Sequence, residues 1–311
     1  MRNSIAVFSF ASALALVAVS FPLHAQPGNS GLAFLKLGVS ARGVSMGDAM
    51  SAHVDGAAAT FYNPAGLVQP AGTGHPGSEL MFMHKEWIQD TRIEFLGAGV
   101  SLGSRDAIGL ALSTSTVADI EIRTRPGDPE GTFTARDFSV SASYAHLLLE
   151  NLRVGVTAKF LYEKILINES SGFAADIGAQ WDTPIDQLSV GAVVANLGGM
   201  KALRNEAPTL PALLRVGPAY TLTLAVPAAT LTLASDLVVI FPEKRSYLNA
   251  GGEFSFNHVV AARAGYQFGS AGRGLSAGVG IQSGIVALDY AYARLSSDLG
   301  NAHTISLAVG L

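Results

Sequence analysis

Alternation with a period of two runs through the second half of the chain, and the character of its polar parity constrains the fold more than anything else. Val154, Val156, Ala158, Phe160 and Tyr162 alternate with Arg153, Gly155, Thr157 and Lys159. Phe173, Ala175, Ile177, Ala179 and Trp181 enclose Ala174, Asp176, Gly178 and Gln180. Leu248, Ala250, Gly252, Phe254 and Phe256 stand against Asn249, Gly251 and Glu253, and Val260, Ala262, Ala264, Tyr266 and Phe268 against Ala261, Arg263, Gly265 and Gln267. This period means strands with one greasy face. A soluble sheet coats its wet face with Lys, Glu and Thr. Here that face is mostly Gly, Ala and Ser with an occasional charge, which is how the inside of a membrane-spanning barrel reads. A soluble β-sandwich or up-and-down ligand barrel needs a solvated outer face, and no strand supplies one.

Composition agrees. Charged residues make up 14% of the 311, against roughly 25% in an average soluble domain. The formal net charge of -4 and the lack of a basic stretch interleaved with aromatics give nucleic acid no footing. Cys is absent, which excludes disulfides, thiolate metal sites and Cys nucleophiles.

The N-terminus has the three-part layout of a secretory signal peptide. Met1-Arg2-Asn3 is a short positive start, residues 5–21 are apolar and uncharged, and Leu23-His24-Ala25 offers a small residue for cleavage. The expected mature chain starts near Gln26; the alternative is an uncleaved anchor helix. Residues 216–235 also lack charge over the length of a spanning helix. Pro218, Pro227 and the alternation Leu222-Thr223-Leu224 argue instead for a hairpin, with Pro227 in its turn.

About fourteen strands of roughly ten residues are expected, the length that crosses a membrane at a tilt. Their connections alternate between short and longer. The longer set includes 123–136, 168–172, 198–211 and 241–246, while 89–91 is short where a longer loop is due. Short periplasmic turns and longer exterior loops mark outer-membrane barrels, so an even strand count places both termini on the periplasmic side. The final strand ends the chain, with Ile305, Leu307, Val309 and Leu311 on one parity, as closure against the first strand requires. The expected organisation is a signal peptide over 1–25, an N-terminal segment over 26–78 and an all-β transmembrane antiparallel barrel over 79–311.

Residues 26–78 differ in composition. The stretch 31–49 is small, Gly-rich and weakly amphipathic, and Asn63-Pro64-Ala65-Gly66 reads as a turn. Such a segment either packs inside the lumen as a plug, where small residues let backbones approach, or hangs as a flexible leader. Ser40-Ala41-Arg42 with Met46-Gly47, then Tyr62-Asn63-Pro64-Ala65-Gly66-Leu67, resembles the N-terminal signature of the PorV/PorQ proteins, related in fold to the FadL long-chain fatty-acid channels. Leu288-Asp289-Tyr290-Ala291-Tyr292 with Asp298-Leu299-Gly300-Asn301, His303 and Ile305-Ser306-Leu307 resembles that family's closing hairpin. The resemblance covers the two ends; the middle matches only in strand pattern. It departs at Asp48, where a second Gly is usual, and at Leu311, where an aromatic is usual. It implies a fourteen-stranded outer-membrane barrel with a hatch carrying Arg42, Met46, Gly47, Asn63, Pro64, Ala65 and Gly66.

Catalytic patterns lack their context. Gly43-Val44-Ser45-Met46-Gly47 fits G-x-S-x-G, but no α/β sheet is legible around it. No His shares a strand face with a Ser at hydrogen-bond spacing, and no metal, phosphate-loop or cofactor motif is present. The chain reads as a non-enzyme without cofactor. Its inward charges are Arg153, Lys159, Glu163, Asp176, Arg215, Asp236, Glu253, Arg263 and Asp289. Their near balance of sign predicts pairing across the lumen or with Arg42, Asp48 and Asp55, since isolated charges there are expensive. Such a set builds either a polar gate or a stitched, closed core.

The PorV-like resemblance implies an accessory of type IX-like protein secretion or surface attachment, with exported cargo or secretion machinery as partners and loops 123–136 and 198–211 as their surface. The FadL relationship implies instead a passive channel for long-chain fatty acids or other hydrophobic compounds. A purely structural barrel is the third reading. Membrane lipid is a partner in all three.

Overall fold

The computed structural model describes residues 30–69, 77–225, 228–270, 272–296 and 299–311. The expected signal peptide, Gln26, Pro227 and Asp298 lie outside them. Fourteen strands follow one another: β1 (Ser78–Glu86), β2 (Thr91–Ser101), β3 (Asp106–Ile122), β4 (Gly131–Leu149), β5 (Leu152–Ile165), β6 (Asn168–Asp182) and β7 (Leu188–Met200), then β8 (Leu213–Thr223), β9 (Ala229–Ile240), β10 (Arg245–Phe256), β11 (Val260–Phe268), β12 (Arg273–Ser283), β13 (Val286–Leu295) and β14 (Asn301–Gly310). Each pairs with its sequence neighbours, and β1 pairs antiparallel with β14 from Glu79↔Gly310 to Glu86↔His303. The sheet is a closed transmembrane-type barrel with no free edge.

The two parities separate as the alternation requires. On β6, Phe173 and Ile177 are 69% and 57% exposed, whereas Asp176 and Gln180 between and beyond them are fully buried. On β6 the aliphatic and aromatic side chains point outward and the small and polar ones in, whereas on β1 and β2 Met81, Met83, Ile93 and Phe95 turn inward against the N-terminal segment. Residues 216–235, uncharged throughout, divide between β8 and β9 as a hairpin.

One end of the barrel carries the connections 102–105, 150–151, 183–187, 224–228, 257–259 and 284–285 (the turn end). The other carries 87–90, 123–130, 166–167, 201–212, 241–244, 269–272 and 296–300 (the loop end). Two of the tight turns place consecutive residues at positive φ: Gln89 and Asp90 at 53° and 55°, Asn257 and His258 at 53° and 54°. That is the type I′ geometry matching the right-handed twist of the flanking strands. The expected loop 168–172 is a correction: β6 begins at Asn168, and residues 166–167 alone make the turn, with Leu166 at φ 57°. Likewise β4 begins at Gly131, so the expected loop 123–136 shrinks to 123–130.

The N-terminal segment lies within the barrel and spans its length. At the loop end, the Gly31 amide donates to the Thr209 carbonyl at 2.9 Å, and Ser30 and Lys36 both bond Glu243 in the β9–β10 turn. The segment then descends through a short helix α1 (Ala41–Ser45) and a second, α2 (Ala59–Tyr62), and the chain enters β1 at the turn end. Leu311 bonds Ser78 at the turn end, but Ser30, the first described residue, sits at the loop end because the segment crosses the lumen before β1.

The exterior yields a direct prediction. An arginine at the middle of a lipid-facing strand destabilises a membrane barrel by about 2–4 kcal/mol. Ile177→Arg is expected to lower the folding free energy in lipid vesicles by that amount, read from Trp181 fluorescence during urea titration. No loss would mean that this face meets water.

Candidate functional site

The site is the interface between segment 30–69 and the barrel wall, built first by local capping. Ser40, extended, precedes α1, and its hydroxyl accepts from the Gly43 amide at 3.0 Å. Asn63 ends α2 and caps the following 3-10 turn, Pro64–Leu67, its Oδ1 accepting from the Ala65 amide at 3.2 Å. Pro64 takes the first position of that turn, where its missing N–H costs nothing. Ser45, the would-be nucleophile of G-x-S-x-G, lies inside α1, fully buried, and donates to the Arg42 carbonyl at 2.8 Å. No nucleophile elbow exists there.

Small wall residues are a consequence of close backbone approach. A Cβ on Gly191 would stand 2.0 Å from the Ser51 carbonyl oxygen, and one on Gly265 would stand 2.2 Å from the Gly47 amide nitrogen. Any larger residue at either position pushes the segment off the wall.

Asn63 sits at the tightest seam. Its amide donates to the Ser51 carbonyl at 2.8 Å and to the Ala179 carbonyl of β6 at 3.0 Å. Gln180 adds donations to the carbonyls of Ser51 and Val54, both at 3.1 Å. On the other side of this wall, Tyr144, Val154, Val156, Ile177, Ala179 and Val194 line an apolar groove of about 540 Å³ that faces outward. Only Gly155 and Gly178 separate the groove from Pro64 and Asn63.

Charges divide into three groups. Near the turn end, Arg42 forks onto Glu253, Nε to Oε2 at 3.0 Å and Nη2 to Oε1 at 3.1 Å, and reaches Asp55 at 3.4 Å. Arg263 bonds the same Glu253 and meets Asp289 at 2.6 Å. Bidentate geometry of this kind is the strong form of an ion pair. His53 is packed beside this cluster with no hydrogen-bond partner for its ring nitrogens among the described residues. Burial, then the Arg42 charge, pushes its pKa down to about 4, so it is neutral.

Further toward the loop end, Asp48 occupies the place where the resemblance calls for Gly. Its carboxylate takes Arg273 at 2.6 Å and the Tyr62 hydroxyl at 2.8 Å. Burial alone would raise its pKa, but Arg273, Lys85 and Arg215 together hold it below the usual carboxylate range. Arg215 lies over the Tyr62 ring, 5.5 Å from its centroid. Asp236 of β9 accepts from the amides of Met50 and Ser51, both at 2.9 Å, and from the Ser51 hydroxyl. Met46 and Gly47 thread past Gly251 and Gly265.

The third group stays within the wall. Lys159 meets Asp176 at 2.7 Å, and Asp176 accepts the Asn196 amide at 2.8 Å. Asn196 has φ 60° and is the extra residue where the β6–β7 register shifts. Asp176 thus satisfies a bulge that would otherwise leave a buried donor unpaired. Arg153 pairs with Asp182 at 2.9 Å near the turn end, and Glu163 is buried near the loop end of β5. Arg42, Asp48, Asp236 and Glu253 therefore bind segment to wall, with Arg263 and Asp289 buttressing Glu253, while Arg153, Lys159 and Asp176 serve the wall itself.

Sequence reading missed Lys85, Arg273, Glu79 and Glu243. Lys85 donates to the Gly38 carbonyl, and Glu79 accepts the Ala57 amide at 2.8 Å. Lys85 and Glu79 stand on the inward parity of β1, a strand whose outward face is itself half polar, so the alternation gave little warning. Arg273 and Glu243 flank loop-end turns, where parity carries no signal.

The chain matches no protein-family model, and no curated protein matches it in sequence. Among solved structures it is similar to the monoaromatic hydrocarbon channel CymD, with 14% identity, a TM-score of 0.62, and coverage of 88% of this chain and 98% of that one. It is similar to the toluene transporter TodX of Pseudomonas putida, with 12% identity, a TM-score of 0.60, and coverage of 88% and 97%. A FadL homologue of Pseudomonas aeruginosa aligns at 11% identity and a TM-score of 0.52 over 88% and 98%. At these identities the likeness is one of fold, and it is a likeness to FadL-like outer-membrane barrels.

Removing the Arg42 fork should unseat the segment. Arg42→Ala leaves Glu253 with Arg263 alone, at a cost on the order of 3 kcal/mol. The expected outcome is a higher conductance for small ions in planar bilayers than the intact protein gives. Unchanged conductance would mean that the fork does not hold the segment in place.

Proposed function

We propose that this chain is a passive outer-membrane channel for hydrophobic small molecules, with segment 30–69 as its hatch. The observation that carries the reading is the seam at Asn63–Pro64. An apolar groove on the lipid side is backed by Gly155 and Gly178, which touch Pro64 and Asn63 of the hatch, so a hydrophobic passenger in that groove lies one strand's thickness from the hatch. Full-length likeness in fold to CymD and TodX, channels for monoaromatic hydrocarbons, adds support. No step in such passage needs a catalytic group.

The accessory reading, with loops 123–130 and 201–212 receiving exported cargo or secretion machinery, rests on the PorV/PorQ motif resemblance alone. One comparison separates the two. Deleting the gene is expected to slow uptake of a hydrophobic probe such as toluene or a long-chain fatty acid, with cell-surface protein display unchanged. Loss of display with normal uptake would overturn the channel and favour the accessory.

A further inference from the structure

The outward face of the barrel is not uniform around its circumference. On β6, apolar side chains face lipid from Phe173 to Trp181, and on β5 from Val154 to Tyr162. With a strand rise of about 3.3 Å and a tilt near 40°, each run spans about 20 Å of the membrane normal. On β1 the greasy run is Leu80 and Phe82 only, about 5 Å on the same measure. Its next outward residues are His84 and Glu86.

The polar residues form two rows across the strands, one from His303 through Glu86 and Arg92 to Thr116, the other from His84 through Glu94 to Thr114 and bounded by Ile305 on β14. Glu86 faces His303 of β14 on one side and Arg92 of β2 on the other. His84 faces Glu94, which faces Thr114 of β3. Thr114 donates to Glu94 at 3.4 Å on the outer surface, and His84 Nδ1 lies 3.8 Å from the same carboxylate. Next along, the Tyr290 hydroxyl meets His303 Nδ1 at 2.8 Å and the Tyr292 hydroxyl donates to Asn301 at 2.6 Å. Glu94 is 52% exposed, so this network faces the surroundings. A charged residue in hydrocarbon costs several kcal/mol unless the bilayer thins or the group reaches water. Tilting the barrel would shift the greasy band but would not lengthen it on β1.

We propose that the wall β14–β1–β2–β3 carries a polar notch in the hydrophobic belt, occupied by lipid headgroups and water drawn down from the loop-side leaflet, so that the bilayer is thinned beside the closing seam. The partner is the lipid headgroup layer. Glu86 and Arg92, of opposite charge, face one another across β1 and β2 beside Glu94, and a notch of mixed sign suits zwitterionic headgroups better than an anionic ligand. The inference is independent of whether anything passes through the lumen.

The absence of cysteine makes the test clean. Single-cysteine variants carrying a polarity-sensitive fluorophore would be placed in vesicles of zwitterionic phospholipid. His84→Cys lies six residues above the start of β1, as Ala158→Cys does above the start of β5. Thr114→Cys and Phe160→Cys make a second pair, each eight residues above the start of its strand. Labels at 84 and 114 should be quenched by aqueous iodide, and those at 158 and 160 by lipids brominated at mid-chain. His84→Leu with Glu94→Leu should then move the label at 114 toward the behaviour of that at 160. Equal bromine quenching at all four positions would overturn the notch. Shielding of 84 and 114 from both quenchers would also overturn it, because a protein partner or second copy would then fill that surface.

Discussion

A barrel wall in lipid leaves its polar groups only one place to go, and that constraint governs the rest of this molecule. Charges turned inward are costly without partners, and the N-terminal segment supplies many of those partners. Arg42 answers Glu253, and Asp48 answers Arg273. The amides of Met50 and Ser51 answer Asp236. The interior therefore joins a polar network held by complementarity to an apolar cluster in which Met81, Met83, Ile93, Phe95 and Leu161 of the wall meet the segment, while most of the other large apolar side chains of the wall face outward.

The same constraint explains the small residues. Where the segment meets the wall through its backbone, as at Gly191 and Gly265, the wall has no room for a side chain. Where it meets the wall through side chains, charges and amides replace the glycines. These two modes alternate down the lumen and fix the segment's path from the Thr209 contact at the loop end to Glu79 at the turn end. A segment held this way is anchored at many points, polar and apolar, since Met81, Met83, Ile93 and Phe95 of the wall are buried in one cluster with its own apolar side chains.

The barrel itself was legible in sequence because parity is a local signal, repeated strand after strand. The alternation from Val154 to Tyr162 identifies its own inside and outside without reference to any other strand. Turn positions were less legible, since residues 168–172 look like a loop by composition and become strand only because Leu166 and Ile167 turn tightly. Of the candidate site, Arg42, Asp48 and Asp55 were recognisable as charges needing partners. Their pairings were not, because Glu253 and Arg273 lie more than two hundred residues away in sequence and come near only on closure of the barrel. Asp176 was recognisable as an inward charge, yet its task, satisfying the bulge at Asn196, depends on a register shift that alternation cannot reveal.

If the chain is the channel we propose, passage requires the inner segment to leave the wall. The Ala41 amide donates to the Ser306 hydroxyl at 3.1 Å, so Ala41→Cys with Ser306→Cys places two thiols at one contact between segment and wall. The native chain has no cysteine to interfere. In liposomes, the oxidised double variant is predicted to stop entry of a hydrophobic probe, and reductant to restore it. Equal entry in the oxidised and reduced forms would contradict the account.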